Sequence, residues 1–206
     1  QRQAVETDAA PLCILAGAGS GKTRVLTRRI ARRILDRSAD PGHVLALTFT
    51  RKAAGELRSR LSALGVRDQV AAGTFHAIAY AQLRRRWADG GQTPPTLMDT
   101  KMPILGRLLP RRREGGPPVI AAHYAPEIEW AKARSVTPAR YETEAAVARR
   151  TPPVPIAEMA SIYLRYEEDK KRGGMVDFDD LLWWCAAAIE AVPEFAAAQR
   201  WRFRHL

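Results

Sequence analysis

The nine residues Leu15-Ala16-Gly17-Ala18-Gly19-Ser20-Gly21-Lys22-Thr23 constrain the fold of this chain more than any other stretch. Before them runs a short apolar segment, Pro11 to Ala16; after them Leu26, Ile30 and Ile34 recur at four-residue spacing. That order predicts a strand, a glycine-rich turn and an amphipathic helix. It is also the order that a phosphate-binding loop needs: inward-pointing backbone N–H groups, a helix N-terminus behind them, a lysine for the outer phosphates and a hydroxyl for Mg²⁺. Gly17, Gly19 and Gly21 supply the permissive backbone, Lys22 the charge and Thr23 the hydroxyl. Ala16 stands where the common pattern has its first glycine. That position sets the exit from the strand, and alanine tolerates most negative-φ conformations, so the replacement costs little.

Further along, the same alternation returns. Asp40-Pro41-Gly42 breaks the chain, and Val44 to Phe49 is continuously apolar up to its threonine, as a strand covered on both faces requires. A helix is predicted over Lys52 to Leu64, with Ala53, Leu57 and Leu61 on one stripe and Gly65 just past its end. Val70 to Phe75 reads as a third strand, followed by a helix carrying Ala77, Ile78 and Ala81. Alternating strands and helices imply a parallel α/β sheet with right-handed crossovers. From about residue 88 the texture changes: Gly90-Gly91, Pro94-Pro95, Gly115-Gly116, Pro117-Pro118 and Pro152-Pro153 punctuate polar, helix-compatible pieces, and no strand pattern survives. Clear helical periodicity resumes at Ile156 to Lys171 and again at Phe178 to Val192.

The formal charge of +11, mostly from arginine, favours a polyanionic partner such as nucleic acid, although runs such as Arg84-Arg85-Arg86 and Arg111-Arg112-Arg113 also suit a solvated surface. No run approaches the ~18 apolar residues of a membrane span, and QRQAVETDAA lacks the zones of a signal peptide. The expectation is a cytoplasmic protein with no membrane partner. Cys13 and Cys185 each lie in an apolar stretch without metal-like spacing and are expected to be reduced core residues.

Residues 16 to 23, AGAGSGKT, together with several further blocks, resemble the UvrD/Rep/PcrA-type superfamily 1 DNA helicases. Gln1 to Val5 (QRQAV) looks like the end of that family's adenine-reading motif, with Gln1 at the base-reading glutamine; Arg24 matches an arginine that packs on the base. LTFTRKAAGEL (residues 47 to 57) and GTFHAI (73 to 78) look like its two single-strand-contacting motifs, and DFDDLL (177 to 182) like the block shortly before its acidic ATPase motif. The resemblance implies an α/β fold with a P-loop, RecA-like parallel sheet flanked by helices and a mostly helical insertion. Residues 1–87 would begin the motor domain, 88–174 form the insertion, called 1B in the family, and 175–206 return to the motor domain. It implies ATP and Mg²⁺ as cofactors. The nucleotide site would be Gln1, Ala16, Gly17, Ala18, Gly19, Ser20, Gly21, Lys22, Thr23 and Arg24, with Lys22 and Thr23 acting in catalysis and Thr23 on the metal. DNA would meet Thr48, Phe49, Thr50, Arg51, Thr74 and His76 at strand ends, where open α/β sheets bind ligands. Arg51 departs from the asparagine that many relatives carry. The competing reading makes Phe49 and Phe75 core aromatics and Thr48, Thr50 and Thr74 helix caps.

Phosphoryl transfer also needs an acidic strand for Mg²⁺, a carboxylate for the water and arginines for the γ-phosphate. Asp177, Asp179 and Asp180 are the clustered candidates, but an amphipathic helix follows them, which favours helix-start charges. By resemblance, Phe203 to Leu206 begins the strand leading to the acidic motif. The expectation is therefore a fragment of a parent that hydrolyses ATP and moves 3′ to 5′ on single-stranded DNA and its duplex junctions in repair or replication. A second motor domain of the same parent would complete it, and the fragment alone would turn over slowly or not at all. Alternatives are the motor subunit of a helicase-nuclease, a non-catalytic nucleic-acid-binding module, and a small phosphotransferase.

Overall fold

The computed structural model describes residues 1–17, 19–66, 70–110 and 119–206. Its elements in chain order are α1 (Arg2–Glu6), α2 (Lys22–Leu35), β1 (Leu45–Thr48), α3 (Arg51–Ala63), β2 (Ala71–Thr74), α4 (Phe75–Asp89), β3 (Thr96–Leu97), α5 (Met102–Leu108), α6 (Ala125–Ala133), α7 (Pro138–Val147), α8 (Ile156–Arg172), β4 (Met175–Val176), α9 (Phe178–Ala191) and α10 (Pro193–Arg202). They form two compact units: Gln1–Ile78 with Ala188–Leu206, and Ala79–Ala187. The partition falls inside α4 and α9.

In the first unit β1 and β2 run parallel with Leu45 opposite Ala71 and Thr48 opposite Thr74. On the other edge of β1 the Leu45 amide donates to the His205 carbonyl at 2.8 Å, in a parallel bridge between Val44 and His205. Helices α2 and α3 cover the sheet through a small core of Ala31, Ala46, Leu57, Leu61 and Val66. The order of strands and helices is the expected α/β alternation. One expected strand is missing: Pro11 to Gly17 has no sheet partner among the described residues, and Leu15 is 94% exposed. An apolar run becomes a buried strand only if neighbours supply ladder bonds and cover both faces. For the same reason Cys13 is exposed and not a core residue. Cys185 is half-buried, and burial pushes its thiol up.

The second unit is helical, with a minimal parallel pair of its own: β3 on β4, Thr96 opposite Met175 and Leu97 opposite Val176. That pair lies in a region where the sequence pattern predicted no strand. Its main core joins α5, α6, α7 and α8 through Ile104, Leu105, Ile128, Tyr141, Met159 and Tyr163, all essentially without exposure. The periodicity of α8 explains its part. Met159, Tyr163, Tyr166 and Lys170 fall on one face, and each buried apolar side chain there stabilises by about 1.5–3 kcal/mol. Lys170, Lys171 and Arg172 in its last turn oppose the negative end of the helix dipole. Helix α9 begins near its expected start, whereas α10 was not anticipated. No single helix among the described residues is long and apolar enough to cross a membrane.

Candidate functional site

The glycine-rich turn leads directly into α2. Gly19 and Gly21 adopt left-handed backbone, with φ of 74° and 85°, and Ala16 is not among the positive-φ residues, which is what lets alanine stand there. Gly21 is required twice over: its φ strains any other residue, and a Cβ there would lie 3.3 Å from Nε2 of Gln1. Ser20 Oγ donates to the Gly17 carbonyl at 2.7 Å, closing the turn. Lys22 Nζ folds back over the loop and donates to the carbonyls of Ala16 and Gly17 at 2.9 and 2.8 Å. These two bonds engage two of the ammonium's three donors at the loop mouth. Thr23 follows in the first turn of α2, where backbone N–H groups have no intrahelical acceptor. Ala18, the remaining predicted loop residue, lies outside the described residues.

Gln1 and Arg24 meet at this loop although 23 residues separate them. Arg24 Nη2 donates to Oε1 of Gln1 at 2.7 Å, and Nε2 of Gln1 donates to the Ser20 carbonyl at 2.6 Å. The carboxamide thus keeps one N–H and one lone pair. A purine edge that offers an acceptor beside an amino group matches that pair.

The second group of predicted residues gathers at the C-terminal ends of β1 and β2, which the register places side by side. Phe49 is 89% exposed and its ring lies 5.3 Å from that of Phe75, tilted by 33°. Neither ring is buried, so the core reading of these aromatics fails. The cap reading of the threonines succeeds in part. Thr50 Oγ1 accepts from the Ala53 amide at 3.1 Å and Thr74 Oγ1 from the Ala77 amide at 3.2 Å, so these two start α3 and α4. Thr48 Oγ1 donates to the Thr50 carbonyl instead. Arg51 is exposed on the first turn of α3, and His76 is half-buried on the first turn of α4. An exposed aromatic pair flanked by helix starts offers a stacking face and backbone amides for phosphate.

The UvrD/REP helicase N-terminal domain family matches residues 1–206. The chain belongs to that family. It is 43% identical over its whole length to the ATP-dependent DNA helicase UvrD2 of Mycobacterium tuberculosis strain H37Rv, covering 31% of that protein. It is 36% identical to the ATP-dependent DNA helicase PcrA of Leuconostoc citreum, covering 28%, and 34% identical to UvrD1 of M. tuberculosis H37Rv, covering 27%. In each case all of this chain is matched, so it spans about a third of its relatives' length or less.

Within this UvrD/REP-type domain the acidic cluster is spoken for. The Asp177 amide donates to Asp180 Oδ2 at 2.9 Å and the Asp180 amide to Asp177 Oδ1 at 3.0 Å, a reciprocal cap on α9. The same carboxylates surround two buried ammoniums. Lys132 Nζ lies 2.7 Å from Asp177, 2.6 Å from Asp180 and 2.8 Å from Glu167; Lys170 Nζ lies 2.5 Å from Asp180. Burial alone would raise the Asp177 carboxyl, but Lys132 and Lys170 outweigh it and hold that group well below the usual carboxylate range. Burial would lower Lys132, yet Asp177, Glu167 and Asp180 raise it above the ordinary lysine value. Glu167, Asp177 and Asp180 are close enough together to ligate a cation, but two ammoniums already occupy that role. The cluster is a structural ion network, in agreement with the helix-start reading.

Sequence reasoning also missed part of the loop's support. Arg29, Arg32 and Arg33 of α2 donate to backbone carbonyls of residues 4 to 9. Their i, i+3, i+4 spacing puts them on one face of the helix, which was the available signal.

Proposed function

We propose that this chain is the nucleotide-binding N-terminal part of an ATP-dependent DNA helicase that moves 3′ to 5′ along single-stranded DNA in the cytoplasm. Residues 1–87 and 175–206 belong to its first motor domain, and 88–174 are an insertion. A second motor domain of the same parent supplies the arginines, and the working substrate is a duplex joined to a single strand. The observation that carries the reading is the loop itself: Gly21 at positive φ, Lys22 across the mouth, and Gln1 and Arg24 paired beside it, all at the start of α2.

The residues fit ATP with Mg²⁺. Backbone amides at the start of α2 and Lys22 would hold the phosphates, Gln1 and Arg24 the adenine, and the Thr23 hydroxyl would give the ion an oxygen ligand. The chemistry that Mg²⁺ would supply there is charge neutralisation at the phosphates. Asp177 and Asp180, the clustered acidic candidates, are committed to Lys132 and Lys170. The 206-residue chain therefore binds ATP and turns it over slowly or not at all.

Equilibrium binding of Mg·ATP to the chain and to Lys22→Ala tests the first part; the substitution should abolish detectable binding. A steady-state assay with and without single-stranded DNA tests the second. DNA-stimulated hydrolysis at the ~10 per second of an ordinary enzyme contradicts it.

A further inference from the structure

Helix α1 buries none of its residues. Helices in proteins draw most of their stability from packing a buried face, and α1 has none of its own. Yet it carries Gln1 at its start, and the Gln1 carboxamide must be held to about an ångström if it is to read a base. What fixes α1 is a set of arginines on α2. Arg29 Nη1 donates to the carbonyls of Ala4 and Thr7 at 3.1 and 2.5 Å, and its Nη2 to that of Ala9 at 3.1 Å. Arg32 adds a bond to the Val5 carbonyl at 3.3 Å, and Arg33 one to that of Asp8, also at 3.3 Å. These carbonyls belong to the last turn of α1 and the segment after it, the groups that a helix end leaves without partners. Arg29 is the centre of the set because its planar fork gathers three of them at once, a geometry that a lysine ammonium cannot reproduce.

We infer that Arg29 is a positioning residue for base recognition: by pinning the end of α1 to α2 it presents Gln1 at the loop, and so sets the preference for an adenine nucleotide without touching it. This rests on the reading of the loop as a nucleotide site. Arg29 is seven residues beyond Lys22 on the same helix, about 10 Å along the axis, too far to serve the phosphates. The carboxamide's remaining N–H and lone pair match an adenine edge, where a ring nitrogen accepts and an amino group donates. The corresponding guanine edge has two acceptors and leaves the Gln1 oxygen unpaired. Losing Arg29 therefore weakens recognition of the base and leaves the phosphate cradle intact.

The experiment compares equilibrium binding of ATP, GTP and inorganic tripolyphosphate, each with Mg²⁺, to the whole chain and its variants. In Arg29→Ala the ATP affinity should fall about tenfold toward that of GTP, the loss expected for about one hydrogen bond of recognition, with tripolyphosphate affinity unchanged. Unchanged tripolyphosphate binding also reports that the loop is folded. Arg29→Lys should lie between the two. Arg28→Ala removes the same charge from an exposed position on the same helix and should behave as the unsubstituted chain. An unaltered ATP-to-GTP ratio in Arg29→Ala, or an equal fall for tripolyphosphate, overturns the inference alone. If the unsubstituted chain binds neither ATP nor tripolyphosphate, the loop reading fails and the inference fails with it.

Discussion

Replacing Lys132 by methionine should destabilise the helical unit by about 3–5 kcal/mol, the cost of leaving buried charge without its partner. Three charge-assisted contacts disappear, at 2.6, 2.7 and 2.8 Å, and at about 1.5–3 kcal/mol each they set an upper bound well above that range. The realised loss is smaller because Lys170 remains beside the same three carboxylates, 2.9 Å from Glu167, 3.3 Å from Asp177 and 2.5 Å from Asp180. Methionine also buries its apolar stem where the lysine stem was. Against a typical total of about 5–15 kcal/mol, the loss consumes a large part of the stability. Urea unfolding followed by tryptophan fluorescence measures it, since Trp87, Trp130, Trp183 and Trp184 lie in this unit.

The pH dependence supplies a second, independent sign. In the native chain Asp177 is held below its ordinary value, so its contribution is present above about pH 4 and is lost as pH falls through the lower folded value. Lys132 is held above its ordinary value, so its contribution is present below about pH 10 and is lost only as pH rises through the higher folded value. Native stability should be flat with respect to this cluster between about pH 5 and 9. In Lys132→Met the buried Asp177 loses its main counter-charge, burial pushes its carboxyl up, and folding then takes up a proton. The deficit should shrink from pH 7 to pH 5. Adding Asp177→Asn should cost less in the variant than in the native chain. A loss below about 1 kcal/mol at pH 7, or a deficit that widens at pH 5, refutes the assignment of Lys132 as the central counter-charge.

Tyr141 donates to Glu127 at 2.8 Å while Arg150 bonds the same carboxylate, so Tyr141→Phe should cost about 1–3 kcal/mol in urea unfolding; burial, then Glu127, raise the phenol, which should stay protonated at pH 10 while the chain is folded. Phe49→Ala should lower affinity for single-stranded DNA about tenfold or more in a fluorescence-anisotropy titration and leave the unfolding midpoint nearly unchanged, because the ring is solvent-facing; a stability loss with unaltered DNA affinity contradicts the stacking role. Gly21→Ala should cost about 1–3 kcal/mol of backbone strain and displace Gln1, read as a lower unfolding midpoint and weaker ATP binding together.

What the sequence revealed and what it hid divide along one physical line. The phosphate loop is legible because its determinants are local: glycines at the positions of positive φ and a lysine at the start of the helix. The lack of a strand at residues 11–16 is not, because an apolar run states a demand for neighbours without stating whether they are supplied. Helix α6, APEIEWAKA, gave no clear period because Glu127 and Lys132 point inward and count as outward residues in any apolar tally. Their inward position makes sense only with Tyr141 and Arg150 for one, and Asp177 and Asp180 for the other. The last two are 45 and 48 residues away along the chain. The arginines of α2 mislead in the opposite direction. Their charge reads as an offer to a polyanion, yet Arg29, Arg32 and Arg33 bond backbone carbonyls of the chain itself, as Arg58 does with Ala72. Lys101, Lys132 and Lys170 are likewise matched by carboxylates. The formal +11 therefore overstates the charge free to meet DNA, and affinity for a single strand should depend more on the exposed Phe49–Phe75 face than the composition suggests.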